Sequence, residues 1–453
     1  MKTKIKKRAL LINPWIHDFA AYDLWSKPLG ILKIASFLKQ LGLQVSLVDC
    51  LDRFHPALEK FLKGKLPRTT IFGDGQYYTD KIEKPPVFRE IPRAYKRYGL
   101  PKELFRQLVK KEPTPDVILV SSAMTYWYPG VFEAIKILRQ EFGQTPIILG
   151  GTYARLCYEH ARANSGADFV YNGNSLPEIT DLLSKAINTS LDYSGIDEDK
   201  IFPAYELYSE LSYITLRTSS GCPFRCSYCG WWLLDKEFKQ QDAEVVVGQI
   251  EHFYKKGVRN FSFYDDALLY NPHAHITKIL KKLISKGIKA FFHTPGGLHV
   301  QFITPELANL FKQAGFIQPR LGLETVFSER QQESGAKTTN KQFLEAVECL
   351  KGAGYKAKDI AANIMIGLPQ QGIEEIRDSI EFVANTGCRI NLEEYAPVPY
   401  TPDYIKSGLP QNADPLLHNN SAFPLYAGDY QKFQAIKDHA HKLNRHSRES
   451  GNP

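Results

Sequence analysis

Most of this chain consists of short runs that are apolar through their centres, each followed by one amphipathic helix, and that alternation leaves few folds open. The runs at 9–13, 43–48, 116–122 (DVILVSS), 146–151 (PIILGG) and 168–171 (DFVY) lack the polar–apolar alternation of a half-wet strand. A strand apolar on both faces is buried on both, which is the habit of parallel sheets covered by helices on either side. Ile31, Ile34, Ala35 and Leu38 share one face of a helix expected over 28–41, which stops at Gly42; further helices are expected over 130–142 and 176–187. The fold class is α/β: residues 1–190 read as a doubly wound, Rossmann-like domain whose ligand lies beyond the carboxyl ends of its strands.

After a linker at 191–211 a second series begins. Its strands fall near 212–219, 259–265, 289–294, 318–324, 359–366 and 389–396, and the helices between them end at Gly257, Gly287, Gly315 and Gly354. Six such units without a seventh or eighth imply a partial (β/α)6 TIM-like barrel over 212–400, with its chemistry at the carboxyl ends of the strands. Residues 52–115 break the rhythm of the first domain. This stretch is rich in Pro, Lys, Arg and Tyr and reads as an insertion with one or two helices, 100–111 the clearest, serving as a lid, a substrate contact or a brace. Over 401–453 the pattern fades into a C-terminal extension, and its polar end, HSRESGNP, is expected to be disordered.

Lys and Arg exceed Asp and Glu by 57 − 49 = +8, and the excess is local: ten Lys/Arg against three Glu between Lys81 and Lys111. A solvated basic face explains that patch, and no nucleic-acid motif accompanies it. No apolar run approaches the roughly 20 residues of a membrane span, and MKTKIKKRALLINPW reads as a first strand rather than a leader. A cytoplasmic protein is expected. Seven cysteines, four of them scattered (Cys50, Cys157, Cys349, Cys388), do not form a disulfide framework, and the scattered four read as core residues.

The other three, Cys222, Cys226 and Cys229, stand in one loop, GCPFRCSYCG, directly after the first barrel strand. A zinc centre wants four ligands, usually in two separated pairs, and no Cys or His follows at a spacing that completes a tetrahedron. Three clustered thiolates can instead hold three irons of a cubane and leave the fourth iron open.

This C-x₃-C-x₂-C run, with Tyr228 before the last cysteine, resembles the signature of the radical S-adenosylmethionine (SAM) superfamily. The resemblance implies a 4Fe-4S cluster whose open iron chelates the amino and carboxylate groups of SAM, and one electron that cleaves the sulfonium to a 5′-deoxyadenosyl radical. It also implies roles further along the barrel. Asp265 and Asp266, where the family usually has Gly-Gly-Glu, would meet the methionyl amino group, although adjacent aspartates can simply cap a turn. In RLGLET, Glu324, with Arg320 the weaker choice, would contact the ribose. In NIMIGLPQQ, Gly367 keeps the adenine motif, while Asn363 and Gln370 replace its outer Gly and Glu. His293, in FFHTPGGLH, is the candidate catalytic group, facing substrate or donating a proton; a structural histidine is the alternative.

The first domain, through NPW…PLGILKIASFLKQLGLQVSLVDC, DVILVSSAMTYWYPG and IILGGTYA, resembles the cobalamin-binding domain that precedes many such barrels. Small residues at its strand ends, Ser121, Ser122, Gly150, Gly151, Thr152 and Gly173, would let a large ligand approach the backbone, or are ordinary tight turns. The D-x-H-x-x-G sequence that supplies an axial histidine is absent; the loop after the first strand reads PWIHDFAAYD, with His17 before Asp18. Relatives that also lack it bind cobalamin without histidine ligation. The expected activity is cobalamin-dependent methylation of an unactivated carbon in a small-molecule or natural-product-like substrate, with flavodoxin or ferredoxin as electron donor. The alternatives are a radical rearrangement or cyclisation, or a non-catalytic cobalamin or redox sensor.

Overall fold

A computed structural model describes residues 7–423 and 430–449. The chain divides between Ser212 and Tyr213 into two compact units, and the short stretch Asn412–His418 belongs with the first. Among the described residues no helix is long and apolar enough to cross a membrane.

The first unit is organised on five parallel strands, β1 (Arg8–Asn13), β2 (Gln44–Asp49), β3 (Val117–Val120), β4 (Ile147–Leu149) and β5 (Phe169–Val170), in the order β2-β1-β3-β4-β5. Successive strand residues serve opposite cores. Ala9, Leu11, Val117 and Leu119 pack with the helices Leu29–Gln40 and Leu176–Ala186 on one face. Leu10, Ile12, Ile118 and Val120 pack with Lys102–Lys111 and Tyr128–Phe142 on the other. This is why the strands are apolar throughout, each fully buried aliphatic side chain contributing about 1.5–3 kcal/mol. The winding reverses between β1 and β3, so a crevice opens at their carboxyl ends. Polar side chains meet there: Asn13 Nδ2 donates to Asp49 Oδ1 (2.7 Å), Ser121 Oγ to Asn13 Oδ1 (2.8 Å) and Tyr208 Oη to Asp49 Oδ2 (2.6 Å).

The 52–115 stretch holds more than the helices Pro56–Phe61 and Lys102–Lys111. Lys96–Tyr98 is the central strand of a small antiparallel sheet, flanked by Thr79–Lys81 and by Ile16–Asp18 from the loop after β1. Its basic residues are partly engaged: Arg97 Nη1 donates to both oxygens of Glu133 at 2.8 Å, and Lys102 reaches the same carboxylate at 2.6 Å. Cys50 and Cys388 are buried as core residues, whereas Cys157 and Cys349 are only half-buried; the sequence offered no sign of the difference.

The second unit carries β6 (Ile214–Leu216), β7 (Asn260–Phe263), β8 (Phe291–His293), β9 (Arg320–Glu324), β10 (Ala361–Ile366) and β11 (Arg389–Glu394). They form two parallel arcs, β8-β7-β6 and β9-β10-β11, the second extended by the two-residue strand Leu298–His299 beside β9. The arcs are joined across Phe292, which exchanges backbone hydrogen bonds with Gly315 (3.0 Å) and Ile317 (3.1 Å). The wall is a partial barrel with β6 and β11 as open edges. Helix Tyr430–Glu449 covers the second edge, and its Asn444 side chain both accepts from Ile390 N and donates to Ile390 O at 2.9 Å, taking the place of a further strand. The helix also brings Lys437 to Glu394 (2.7 Å); of the polar end expected to be disordered, residues 450–453 lie outside the described residues.

Candidate cofactor site

The cysteine loop springs from the carboxyl end of β6 and is pinned at both ends and in the middle. Ser219–Ser220 pairs antiparallel with Lys239–Gln240, and Gly221 then turns with φ +70°, where a Cβ would collide with the Glu237 carbonyl; only glycine fits. Phe224 stacks on His299 at 4.7 Å between ring centres. Ser227 Oγ donates to Asp403 Oδ2 (2.8 Å) and Asp403 N to Ser227 O (3.0 Å), anchoring the loop to the helix Pro402–Lys406. Cys226 is buried, and Cys222 and Cys229 are half-buried. Burial pushes the Cys222 thiol up to about 11 and the Cys229 thiol up to about 12, and raises that of Cys226 as well. Ionised sulfurs here need positive charge supplied to them, as the irons of a cluster would supply it. Among the described residues no three His, Cys, Asp or Glu side chains converge as ligands of a single ion; a cubane makes a different demand, one thiolate per iron.

Beside the loop, at the end of β7, lie Asp265 and Asp266. Asp265 does not cap the turn that follows it. Its Oδ1 reaches back to accept from Thr218 N (2.8 Å), Thr218 Oγ1 (2.9 Å) and Ser219 Oγ (2.6 Å), just ahead of Cys222. Its Oδ2 is buried without a hydrogen-bond partner, and desolvation raises this carboxyl to about 6. Asp266 is raised to about 7, chiefly by burial and against the pull of Arg217, whose Nη2 donates to it (3.1 Å) and to Asp235 (2.6 Å).

Across the sheet the two residues chosen from RLGLET part company: Arg320 opens β9, donating to Pro295 O (3.3 Å), and Glu324 closes it. Glu324 sits at a break in register with β10 and holds φ +67°, an uncommon conformation for a residue with a side chain and one that collects at functional positions. Its carboxylate accepts from Lys337 Nζ at 2.9 Å, and the same ammonium donates to Tyr228 Oη at 2.8 Å. Lys337, like Arg217, was not singled out in the sequence. His293 ends β8, buried, with Nε2 3.0 Å from Asn260 Oδ1 and its pKa lowered by burial to about 3, so the ring is neutral at ordinary pH. Gly367 follows β10 with φ +82°, and Asn363 accepts from Asn391 Nδ2 (2.9 Å) inside the barrel wall.

In the first unit the small residues divide. Gly151 lies where a Cβ would strike Ser122 O, Ser122 Oγ donates to Gly150 O (2.6 Å), Thr152 N donates to Ser122 O (2.9 Å), and a Cβ on Gly173 would strike Glu178 and Tyr171. These contacts lock neighbouring turns together. At Gly150 a Cβ would meet the Tyr171 side chain only at ordinary contact distance (3.9 Å), and Ser121 stays half-buried at the crevice mouth, so these two positions are not closed by neighbouring backbone. His17 is buried, with Nε2 3.2 Å from Glu133.

Comparison with known proteins bears on both units. Residues 216–383 match the radical SAM superfamily. An anaerobic magnesium-protoporphyrin IX monomethyl ester cyclase of Rubrivivax gelatinosus is 22% identical over 65% of this chain, which spans about half (54%) of that curated relative. Among solved structures, the radical SAM methyltransferase TsrM of Kitasatospora setae is similar at a TM-score of 0.64 with 14% identity, over 89% of this chain and 76% of TsrM. The cobalamin-dependent radical enzyme OxsB follows at 0.57 and 14%, over 93% of this chain and 56% of OxsB. At these identities the structural likeness is one of fold, and it extends across both units.

Proposed function

On the premise that this chain carries a radical SAM domain over residues 216–383, we propose that it is a cobalamin-dependent methyltransferase acting on an unactivated carbon of a small molecule. Cys222, Cys226 and Cys229 would hold the cluster, and Asp265 the amino group of SAM. The SAM-binding part of the reading is carried by one observation: a buried carboxylate oxygen without a partner, on a carboxylate fixed by Thr218 and Ser219 just ahead of the cysteine loop. An amino N–H is the group that such an oxygen suits, since an ionised carboxylate accepts the stronger hydrogen bond. Bound together, the cluster and SAM supply a 5′-deoxyadenosyl radical, and methylcobalamin supplies a methyl group. The chain's own part is positional. Thr218 and Ser219 aim Asp265, Lys337 steadies Glu324 and Tyr228, and the crevice by Ser121 and Gly150 is where the corrinoid is proposed to lie. TsrM and OxsB were each solved with cobalamin. We place the enzyme in the cytoplasm, fed electrons by a flavodoxin or ferredoxin.

The first test is anaerobic reconstitution with iron, sulfide and cobalamin, followed by product analysis under dithionite. Wild type is expected to form 5′-deoxyadenosine, and Cys226→Ala to form none. Methyl transfer further requires S-adenosylhomocysteine beside the deoxyadenosine. The cyclase relative favours ring formation as the second reading, which produces deoxyadenosine alone. A full cluster with neither product would leave a sensor.

A further inference from the structure

The stretch 334–339, SGAKTT, lies far along the chain from the cysteines, yet forms one wall of their loop. Gly335 holds φ +97°, and a Cβ there would stand 3.3 Å from Cys226 Sγ. Thr338 Oγ1 donates to Gly322 O (3.1 Å), tying the stretch to β9. Between these anchors Lys337 turns inward, its side chain only 14% exposed. Besides its hydrogen bonds to Tyr228 and Glu324, its Nζ stands 5.5 Å from the centre of the Tyr228 ring, and Tyr228 lies between Cys226 and Cys229.

A buried ammonium is costly unless it is paired and hydrogen-bonded, and Glu324, the carboxylate paired with Lys337, is itself held in a strained conformation. A tyrosine hydroxyl and a carboxylate could hold each other without any lysine. What the lysine adds is a fixed positive charge against the wall of the cysteine loop, on the tyrosine that stands between Cys226 and Cys229.

We propose that Lys337 is a positioning residue that raises the reduction potential of the cluster held by Cys222, Cys226 and Cys229. The inference rests on the radical SAM reading and deepens it. The step concerned is the gain of one electron by the cluster, with no bond broken and no proton taken up; the electron comes from the donor protein, or from dithionite in the test. The cluster becomes more negative by one charge, and a neighbouring cation in a site with little water favours that state.

The test is a reductive titration of the reconstituted holoenzyme without SAM, following the electron paramagnetic resonance of the reduced cluster. Lys337→Gln is expected to shift the reduction equilibrium at least tenfold towards the oxidised form, about 59 mV for one electron. Lys337→Arg, which keeps the charge, is expected to stay close to wild type, and Glu324→Gln, which unmasks the ammonium, to shift the other way. Iron content is measured on every sample. Equal midpoints in fully loaded wild type and Lys337→Gln overturn the proposal and leave the radical SAM reading standing. A potential that falls equally in Lys337→Arg also overturns it, because packing rather than charge would then be the cause. A wild type that takes up zinc or no iron overturns the underlying reading instead.

Discussion

Asp265 holds its proton more tightly in the unliganded protein than an ordinary aspartate does, because burial disfavours its charge. Its folded-state value of about 6, and that of about 7 for Asp266, lie above the ordinary 3.8 of an aspartate. The sign follows from linkage: the folded apoprotein binds protons that the unfolded chain releases, so these groups favour the apo fold in acid and lose that effect as pH rises from about 4 to 7. Accepting an N–H from the amino group of SAM needs the opposite state. SAM affinity is therefore expected to strengthen from pH 5 towards pH 8, about tenfold per unit below the carboxyl pKa. Asp265→Asn should bind SAM at least tenfold more weakly with a flattened profile; equilibrium dialysis of cluster-loaded protein checks this. At this scale the cysteines and the aspartate pair were legible in the sequence, because three thiols in one loop and two adjacent carboxylates after an apolar strand stand out by spacing alone. Lys337 was not, since nothing local marks a lysine that becomes important only when β9 and its following loop fold onto residues over a hundred positions earlier. His293 was legible as a residue but not as a state: only the structure pairs it with Asn260.

Elements buried on both faces announced themselves; elements held by distant partners did not. β1, β3 and β10 carry their own pattern, and their expected bounds agree with the structure to within two residues. Thr79–Lys81 and Lys96–Tyr98 are three residues each and mostly polar; they exist because they pair with each other and because Ile16–Asp18 pairs with the free side of Lys96–Tyr98. Strands that short have no periodicity to read. The C-terminal helix was missed for a related reason, being polar over most of its surface and defined by what it covers. Its decisive contact is the Asn444 amide on the backbone of Ile390. Asn444→Ala is expected to cost about 1–3 kcal/mol, because it leaves two backbone groups of β11 without partners. Urea denaturation measures the loss, and light scattering should detect self-association through the uncovered edge.

At the scale of the molecule, the first unit is discontinuous. Asn412–His418 contributes Asp414, which accepts from Tyr128 Oη at 3.1 Å, and the buried His418, whose Nδ1 lies 3.0 Å from Thr125 Oγ1. A fragment ending at Ser212 is expected to be less stable than the same fragment with 412–418 joined by a flexible linker, by about 1–3 kcal/mol for two lost partners. Thermal melts of the two fragments decide it, and equal melting would mean that the returning segment is a passenger. A ribosome reads out the whole barrel sequence between the first part of this unit and the last. What is begun first is therefore closed only after every barrel strand has been made, and until residue 418 emerges the growing polypeptide carries Tyr128 without the aspartate it hydrogen-bonds and Thr125 without its imidazole, a period in which a chaperone has something to hold.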